Sequence, residues 1–199
     1  MNKMKLWMVA AILFSGVVGV TSCINKTKIE KEVESAARDM AMHAEAFTSV
    51  INNYLVDSIG SHYTPGEVCI PVVLYQIDEV HNDSILVWGD YWVFNYNVVG
   101  DTLKCVSGGN HPGKMLMCVN EEGNDRVMSF EQVEDGHGNL ESAKRIFGKY
   151  YDAFHNANSD EAYREEVRAS TIADYVKEHK LPVKYYQDYG WPAKEIPTE

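Results

Sequence analysis

Hydrophobic residues recur every three or four positions between Ile29 and about Asp57, which is the repeat of an amphipathic helix. The apolar positions are 29, 33, 37, 40, 44, 47, 51 and 54 or 55, and polar side chains surround them. A helix of this length would extend about 40 Å, at about 1.5 Å per residue. The pattern therefore predicts a long N-terminal helix whose apolar face needs an equally long partner, such as a sheet.

Five β-strands are predicted next, because runs rich in β-branched and aromatic residues alternate there with clusters of turn formers. The predicted strands cover residues 68–80, 85–98, 102–107, 114–119 and 126–133. The turns between them are of hairpin length, which predicts an antiparallel meander. Gly89 and Asp90 interrupt the second run, and we interpret them as a bulge in one long strand rather than a turn.

Two helices are predicted after the strands. The first is capped by Asn139 and has apolar residues at 143, 146, 147, 150, 151 and 154. The second is capped by Ser159 and reaches about His179. The remaining segment is aromatic and irregular, and its large side chains are Tyr185, Tyr186, Tyr189 and Trp191. The chain is therefore expected to have an α+β fold.

The first 22 residues have the pattern of a signal peptide. Two lysines precede an apolar run from Leu6 to Val20, which is too short to span a bilayer comfortably. The residues that follow, up to Cys23, complete the sequence Val-Thr-Ser-Cys, which resembles the lipobox of bacterial lipoproteins. This resemblance implies that Cys23 is lipidated and becomes the mature N-terminus. The alternative is ordinary secretion, with Cys23 as a free or paired thiol.

The expected organisation is a signal peptide over residues 1–22, a lipidated tether over 23–28 and a single domain over 29–199. The tether is basic, whereas some lipoproteins exported to the cell surface carry an acidic cluster at this place. Ile24 is also not the aspartate that retains lipoproteins at the inner membrane of enteric bacteria. The resemblance therefore implies a protein in the outer membrane that faces the periplasm.

Charge limits the partners of the mature protein. Removal of the signal leaves 177 of the 199 residues, enough for one well-cored domain. The signal contains two lysines and no acidic residue, so its loss changes the net charge from −11 to −13. This charge disfavours a nucleic-acid partner and direct binding to an anionic membrane. Contact with the membrane is expected through the lipid alone.

The sequence allows two hypotheses for the other three cysteines. Cys105 and Cys118 flank a turn-rich loop near His111, and they could form a disulfide if that loop closes a hairpin. Alternatively Cys69, Cys105 and Cys118 are all small buried hydrophobic residues, as free cysteines often are.

A long helix followed by a curved antiparallel meander resembles the cystatin-like and NTF2-like α+β rolls. The resemblance covers residues 29–134 and implies a sheet wrapped around the helix, with the two C-terminal helices added to that plan. Such rolls host enzymes, small-molecule binders and interaction modules, so the fold does not define a function.

The second predicted strand carries the best candidate site. If it is continuous, Trp88, Asp90, Trp92, Phe94 and Tyr96 share one face. A carboxylate among indoles would have a raised pKa, as the general base of a hydrolase or isomerase requires. Asp90 is therefore the catalytic candidate, and Trp88, Trp92 and Tyr96 are the ligand-binding candidates. We favour the alternative that the aromatic residues are core and that Asp90 is a solvated turn or bulge residue.

Two other motifs are weaker. Residues Gly108 to Lys114 have the spacing of a P-loop, but Met115 replaces the expected Ser or Thr and a strand is predicted to follow. We interpret this segment as a turn. The seven histidines share no ligand spacing, so neither a metal site nor a cofactor is expected.

We therefore predict a lipid-anchored periplasmic binding or interaction module for an unknown small molecule or protein. One alternative is a small hydrolase or isomerase that uses Asp90, and another is a structural component of an envelope complex. Catalysis is the less favoured hypothesis, because no nucleophile and general base lie close together in the sequence. The aromatic residues of the C-terminal segment could stack against a sugar or peptide, or simply pack against the fold.

Overall fold

The computed structural model describes residues 47–81, 84–118 and 125–198. Cys23 and the predicted signal and tether lie outside these described residues. Of the predicted N-terminal helix, residues 47–54 are α-helical and are called α1 here, while residues 29–46 lie outside the described residues. α1 continues into a π-helical turn, Leu55–Ile59, and a 3₁₀ turn, Gly60–His62.

The described residues form an α+β structure with a seven-stranded sheet. The strands are β1 Val68–His81, β2 Ser84–Val99, β3 Thr102–Asn110, β4 Gly113–Cys118, β5 Arg126–Gln132, β6 Tyr185–Gln187 and β7 Lys194–Glu195. The first five were predicted at these places. The expected number of strands was wrong because β6 and β7 have only three and two residues, too few to show an alternating pattern.

The sheet is organised around β2 and is not a simple meander. β1 pairs with β2 along one edge, while β4 and β3 share the other edge, β4 opposite Ser84–Gly89 and β3 opposite Trp92–Val99. With 16 residues, β2 is long enough to hold two shorter strands end to end. β3 also pairs in parallel with β6, so the sheet is mixed rather than antiparallel.

This arrangement excludes the disulfide considered above. Cys105 lies opposite Tyr96, and Cys118 lies opposite Ser84. Twelve residue steps along a strand correspond to roughly 40 Å. In the described part of the chain all three cysteines are free.

Three described helices follow the first five strands, where two were predicted. They are α2 Asn139–Phe147, α3 Tyr151–Ser159 and α4 Glu161–Glu178. Asn139 is the first residue of α2 and Gly138 precedes it as the N-cap, so the prediction that Asn139 caps this helix was wrong. The first predicted helix is split because Gly148 has a φ of 50°, outside the range of a right-handed helix. α4 is capped by Asp160 rather than by Ser159, since an Asp160 side-chain oxygen accepts a hydrogen bond of 3.0 Å from the Tyr163 amide.

The sheet lies between α1 on one face and α2–α4 on the other. α1 packs with a cluster formed by Ile51, Leu55, Val87, Tyr91, Val93, Met115 and Met117. α2 and α3 pack with Trp88, Val133, Ala143, Ile146, Phe147 and Phe154. α4 packs with Ile70, Tyr96, Leu103, Ile172, Val183, Tyr186 and Ile196. Within the described residues there is no helix whose length and hydrophobicity would let it cross a membrane.

Candidate functional site

β2 runs without interruption through Gly89, so the interpretation of one long strand rather than a turn is confirmed, but the bulge was assigned to the wrong strand. The irregularity lies in the neighbouring strand, where Leu74 is the extra residue between the partners of Tyr91 and Asp90. Gly89 has a different role. A Cβ at this position would lie 2.2 Å from the ring of Tyr91, which folds back over the glycine. The glycine therefore makes room for a buried tyrosine.

Asp90 is completely buried, with 0% of its surface exposed, which corrects the expectation of a solvated residue. One carboxylate oxygen accepts a hydrogen bond from the Asn110 side-chain amide, and the other accepts one of 2.9 Å from Asn158. The continuous strand directs Asp90 towards α3, and the strand end of β3 supplies Asn110. These two amides compensate part of the free energy that burial of the carboxylate costs.

Burial raises the pKa of Asp90, while hydrogen bonds from Asn158 and Asn110 and the positive charge of Arg164 oppose that rise. The indole Nε1–H of the neighbouring Trp92 is buried and has no hydrogen-bond partner among the described residues. In the described part of the chain, Asp90 has two amide donors and no directly bonded cation.

A cavity of about 280 Å³, called the α4 cleft here, lies between this face of the sheet and α4. Its floor includes Trp92 and Phe94, whose rings stack with centroids 5.8 Å apart and planes 10° apart. Both side chains are only partly buried. The complete lining is Val72, Leu74, Trp92, Phe94, Glu161, Arg164, Glu165, Arg168 and Asp188.

Arg168 forms the inner end of the cleft. Its guanidinium lies 3.9 Å from the centre of the Phe94 ring and donates two hydrogen bonds, of 2.7 and 2.6 Å, to the Asp188 carboxylate. It also donates to the Tyr96 hydroxyl at 2.8 Å. The hydrogen bonds from Arg168 lower the pKa of Asp188. This ion pair fixes the segment after β6 against α4.

Arg164 lies one helical turn earlier on the same face of α4. It donates a hydrogen bond of 2.7 Å to the main-chain carbonyl of Asn158, and its guanidinium carbon lies 5.9 Å from the Trp92 ring. Within the described part of the chain it forms no salt bridge. By contrast, Glu165 pairs with Lys194 at 2.8 Å.

The sequence-based candidates occupy different places. Trp92 lines the cleft and Asp90 lies buried behind it, outside its lining. Trp88 is in the core, where its indole donates to the Ile146 carbonyl at 2.8 Å. Tyr96 is fully buried and holds Arg168. Of the three aromatic candidates, Trp92 is thus the one in the cleft lining.

Sequence reasoning missed the charged side of the cleft. Glu161, Arg164, Glu165 and Arg168 follow the i, i+3, i+4, i+7 spacing of one helix face. Charged residues on the face that meets a sheet are unusual, and this was the available signal. Asn110 and Asn158 gave no comparable signal, because asparagines at strand and helix ends are common.

The remaining candidates fall outside the cleft. Most of the P-loop-like segment is strand, because Gly108 to Asn110 end β3 and Gly113 and Lys114 begin β4. The predicted strand at Met115 is confirmed, but the turn before it is limited to residues 111 and 112. His111 accepts or donates a hydrogen bond of 2.8 Å with Tyr63. No group of three or more potential metal ligands occurs among the described residues. Tyr186 is core, whereas Tyr189 and Trp191 are exposed.

Comparison of the chain with protein-family models, curated proteins and solved structures gave no significant match. What the protein does must therefore be inferred from the cleft itself.

Proposed function

We propose that this protein is a binding module of the cell envelope, anchored by a lipid on Cys23 and facing the periplasm, that binds a small molecule in the α4 cleft. The observation that carries the proposal is the partly open aromatic floor of Trp92 and Phe94 beside charged side chains of α4. Small-molecule sites combine an apolar surface with a few placed polar groups in this way. The volume of about 280 Å³ suits a ligand of one or two rings.

Catalysis by Asp90 has less support. Its burial and raised pKa fit a general base. Both of its oxygens are held by amide groups, however, and the carboxylate does not line the cleft. A substrate bound above Trp92 would not reach it without a rearrangement of Asn158. The other alternative, a structural role in an envelope complex, is favoured by the exposed Tyr189 and Trp191.

Binding in the cleft can be tested by saturation-transfer NMR on the purified mature protein, with naphthalene carboxylate, naphthalene carboxamide and methyl glucoside as probes. We expect at least one naphthalene probe to bind, and Trp92→Leu to weaken its binding at least about tenfold. Trp191→Leu is the matched control, because this exposed indole lies outside the cleft. Absence of binding by all probes, or equal binding by Trp92→Leu, would refute the proposal.

The anchor is tested separately by Cys23→Ser. We expect this variant to leave the membrane fraction in detergent-free fractionation, whereas Cys118→Ser, which alters a free thiol in β4, stays with the membranes. Equal membrane retention of the two variants would show that Cys23 is not the anchor.

A further inference from the structure

Some of the charged residues that line the α4 cleft have a salt-bridge partner among the described residues, and others do not. Asp188 is paired with Arg168 at 2.6 Å, and Glu165 is paired with Lys194 at 2.8 Å. Glu161 and Arg164 are the two lining charges for which the described residues provide no salt bridge. Their surroundings differ, and this difference indicates the charge of the ligand.

Glu161 is exposed at the first position of α4, where water solvates its carboxylate. Arg164 is half-buried beside the Trp92 ring. Its guanidinium makes one hydrogen bond among the described residues, to the Asn158 carbonyl, although a guanidinium has five N–H donors. A partly desolvated cation with open donors attracts an anion more strongly than a solvated carboxylate attracts a cation.

Asp90 is the one buried acidic residue among the described residues, and Arg164 acts on it through its charge without a direct salt bridge. Asn158 lies between the two groups, since its side chain donates to Asp90 and its carbonyl accepts from Arg164. Asn110 occupies the other carboxylate oxygen. The donors of Arg164 that Asn158 leaves open are therefore available to a ligand.

We propose that the ligand of the α4 cleft is a small ring compound that carries a carboxylate. Arg164 binds the carboxylate, and the stacked pair of Trp92 and Phe94 binds the ring. Arginine is suited to this role because its planar donor pairs match a carboxylate in two parallel hydrogen bonds. A neutral ring would leave Arg164 unpaired. A cationic ring would face Asp188 and Glu165, which already have partners, and Glu161, which is exposed to solvent. This inference rests on the proposed binding function and adds the ligand class.

The test compares naphthalene carboxylate with naphthalene carboxamide, which have the same shape and differ in charge. By isothermal titration calorimetry of the mature protein near pH 7, we expect the carboxylate to bind at least about tenfold more tightly. Arg164→Gln should reduce this preference to less than about threefold, and Arg164→Lys should retain part of it. Arg145→Gln is the matched control, because Arg145 lies on α2 and pairs with Glu131 outside the cleft.

The possible failures are distinguishable. Equal binding of the two probes by the wild-type protein, or a preference that survives Arg164→Gln, would overturn the carboxylate inference while the cleft remains a binding site. Binding of neither naphthalene probe would overturn the inference, and absence of binding by methyl glucoside as well would overturn the proposed function. Circular dichroism of Arg164→Gln establishes that the variant is folded before its affinities are compared.

Discussion

Asn158, at the end of α3, donates a hydrogen bond of 2.9 Å to the buried carboxylate of Asp90, 68 positions earlier in the chain. The main-chain carbonyl of the same residue accepts from Arg164 at 2.7 Å. One asparagine therefore holds both a carboxylate behind the α4 cleft and a guanidinium that lines it. The sheet, the junction between α3 and α4, and the wall of the cleft are connected by these hydrogen bonds.

Asp90→Asn tests the importance of this connection for stability. The substitution replaces one acceptor oxygen by an amide that faces the donors of Asn110 or Asn158. We expect the free energy of unfolding near pH 7 to fall by about 1–2 kcal/mol, because a buried donor is left without an acceptor. Urea titration measures the change. Asp174→Asn on the exposed side of α4 is the control and should change stability by less than about 0.5 kcal/mol. Equal effects of the two substitutions would contradict the role of Asp90.

Wild type and Asp90→Asn are also expected to differ in how their stability depends on pH, and the direction of this difference follows from the pKa of Asp90. Burial raises the pKa of Asp90 in the folded protein above the ordinary value of 3.8. The folded state therefore takes up this proton before the unfolded chain does, and Asp90 adds stability as the pH falls through its raised pKa towards 3.8. The Asn variant lacks this gain.

We therefore expect the difference in unfolding free energy between wild type and Asp90→Asn to increase as the pH is lowered from 7 to 4. The difference isolates Asp90, because carboxylates whose pKa is lowered, such as Asp188, titrate in both proteins. Urea titrations at several pH values measure it. A difference that is constant or decreases would show that the buried carboxylate is not destabilised as an anion.

The positions of β1 to β5 could be predicted because each strand ends in turn formers that act locally. Their partners could not. β3 and β4 are separated by a short loop, and a meander would pair them with each other. Instead both pair with the same edge of β2, where they lie end to end. Strand pairing depends on contacts distant in sequence, whereas turn residues report only the loop that contains them.

The candidate site was predictable from the sequence to the same limited extent. Alternation along β2 correctly placed Asp90 and Trp92 on one face. The environment of Asp90 depends on Asn158, which comes from a helix that no local pattern connects to β2. An aspartate beside a glycine is common in turns. Since the sequence does not reveal the hydrogen-bond partners of Asp90, the prediction of a solvated Asp90 was the better supported one, and it was wrong.

Two buried tyrosines on opposite faces of β2 should respond oppositely to removal of their hydroxyls. The Tyr91 hydroxyl is buried without a hydrogen-bond partner among the described residues, and the Tyr96 hydroxyl accepts from Arg168. We expect Tyr91→Phe to leave stability unchanged or to increase it by up to about 1 kcal/mol, since an unsatisfied polar group is removed. Tyr96→Phe should decrease stability by about 1 kcal/mol or more. Thermal unfolding of each variant against wild type measures both effects, and loss of stability in Tyr91→Phe would reveal a partner for its hydroxyl.

The ion pair of Arg168 and Asp188 is expected to be more sensitive to loss of one member than to loss of both. The Arg168 side chain is 9% exposed, and that of Asp188 is 36% exposed. Asp188→Asn leaves a buried guanidinium without a counter-ion and should decrease the unfolding free energy by about 2 kcal/mol, a value reduced by the partial access of water. The double variant Arg168→Met with Asp188→Asn contains no unpaired buried charge, so it should be more stable than Asp188→Asn alone.

Glu131→Gln is the control for this prediction, because the pairs that Glu131 makes with Arg145 and Lys114 are more exposed. The Glu131 side chain is 40% accessible, and those of Arg145 and Lys114 are 58% and 31% accessible. Such exposed pairs contribute within about 0.5 kcal/mol. Urea titration of Asp188→Asn, Arg168→Met, the double variant, Glu131→Gln and wild type compares the two sites directly. If the double variant lost as much stability as the sum of its single variants, the guanidinium would be stabilised independently of Asp188. The Tyr96 hydroxyl and the Phe94 ring would then be sufficient to hold Arg168 at the inner end of the cleft.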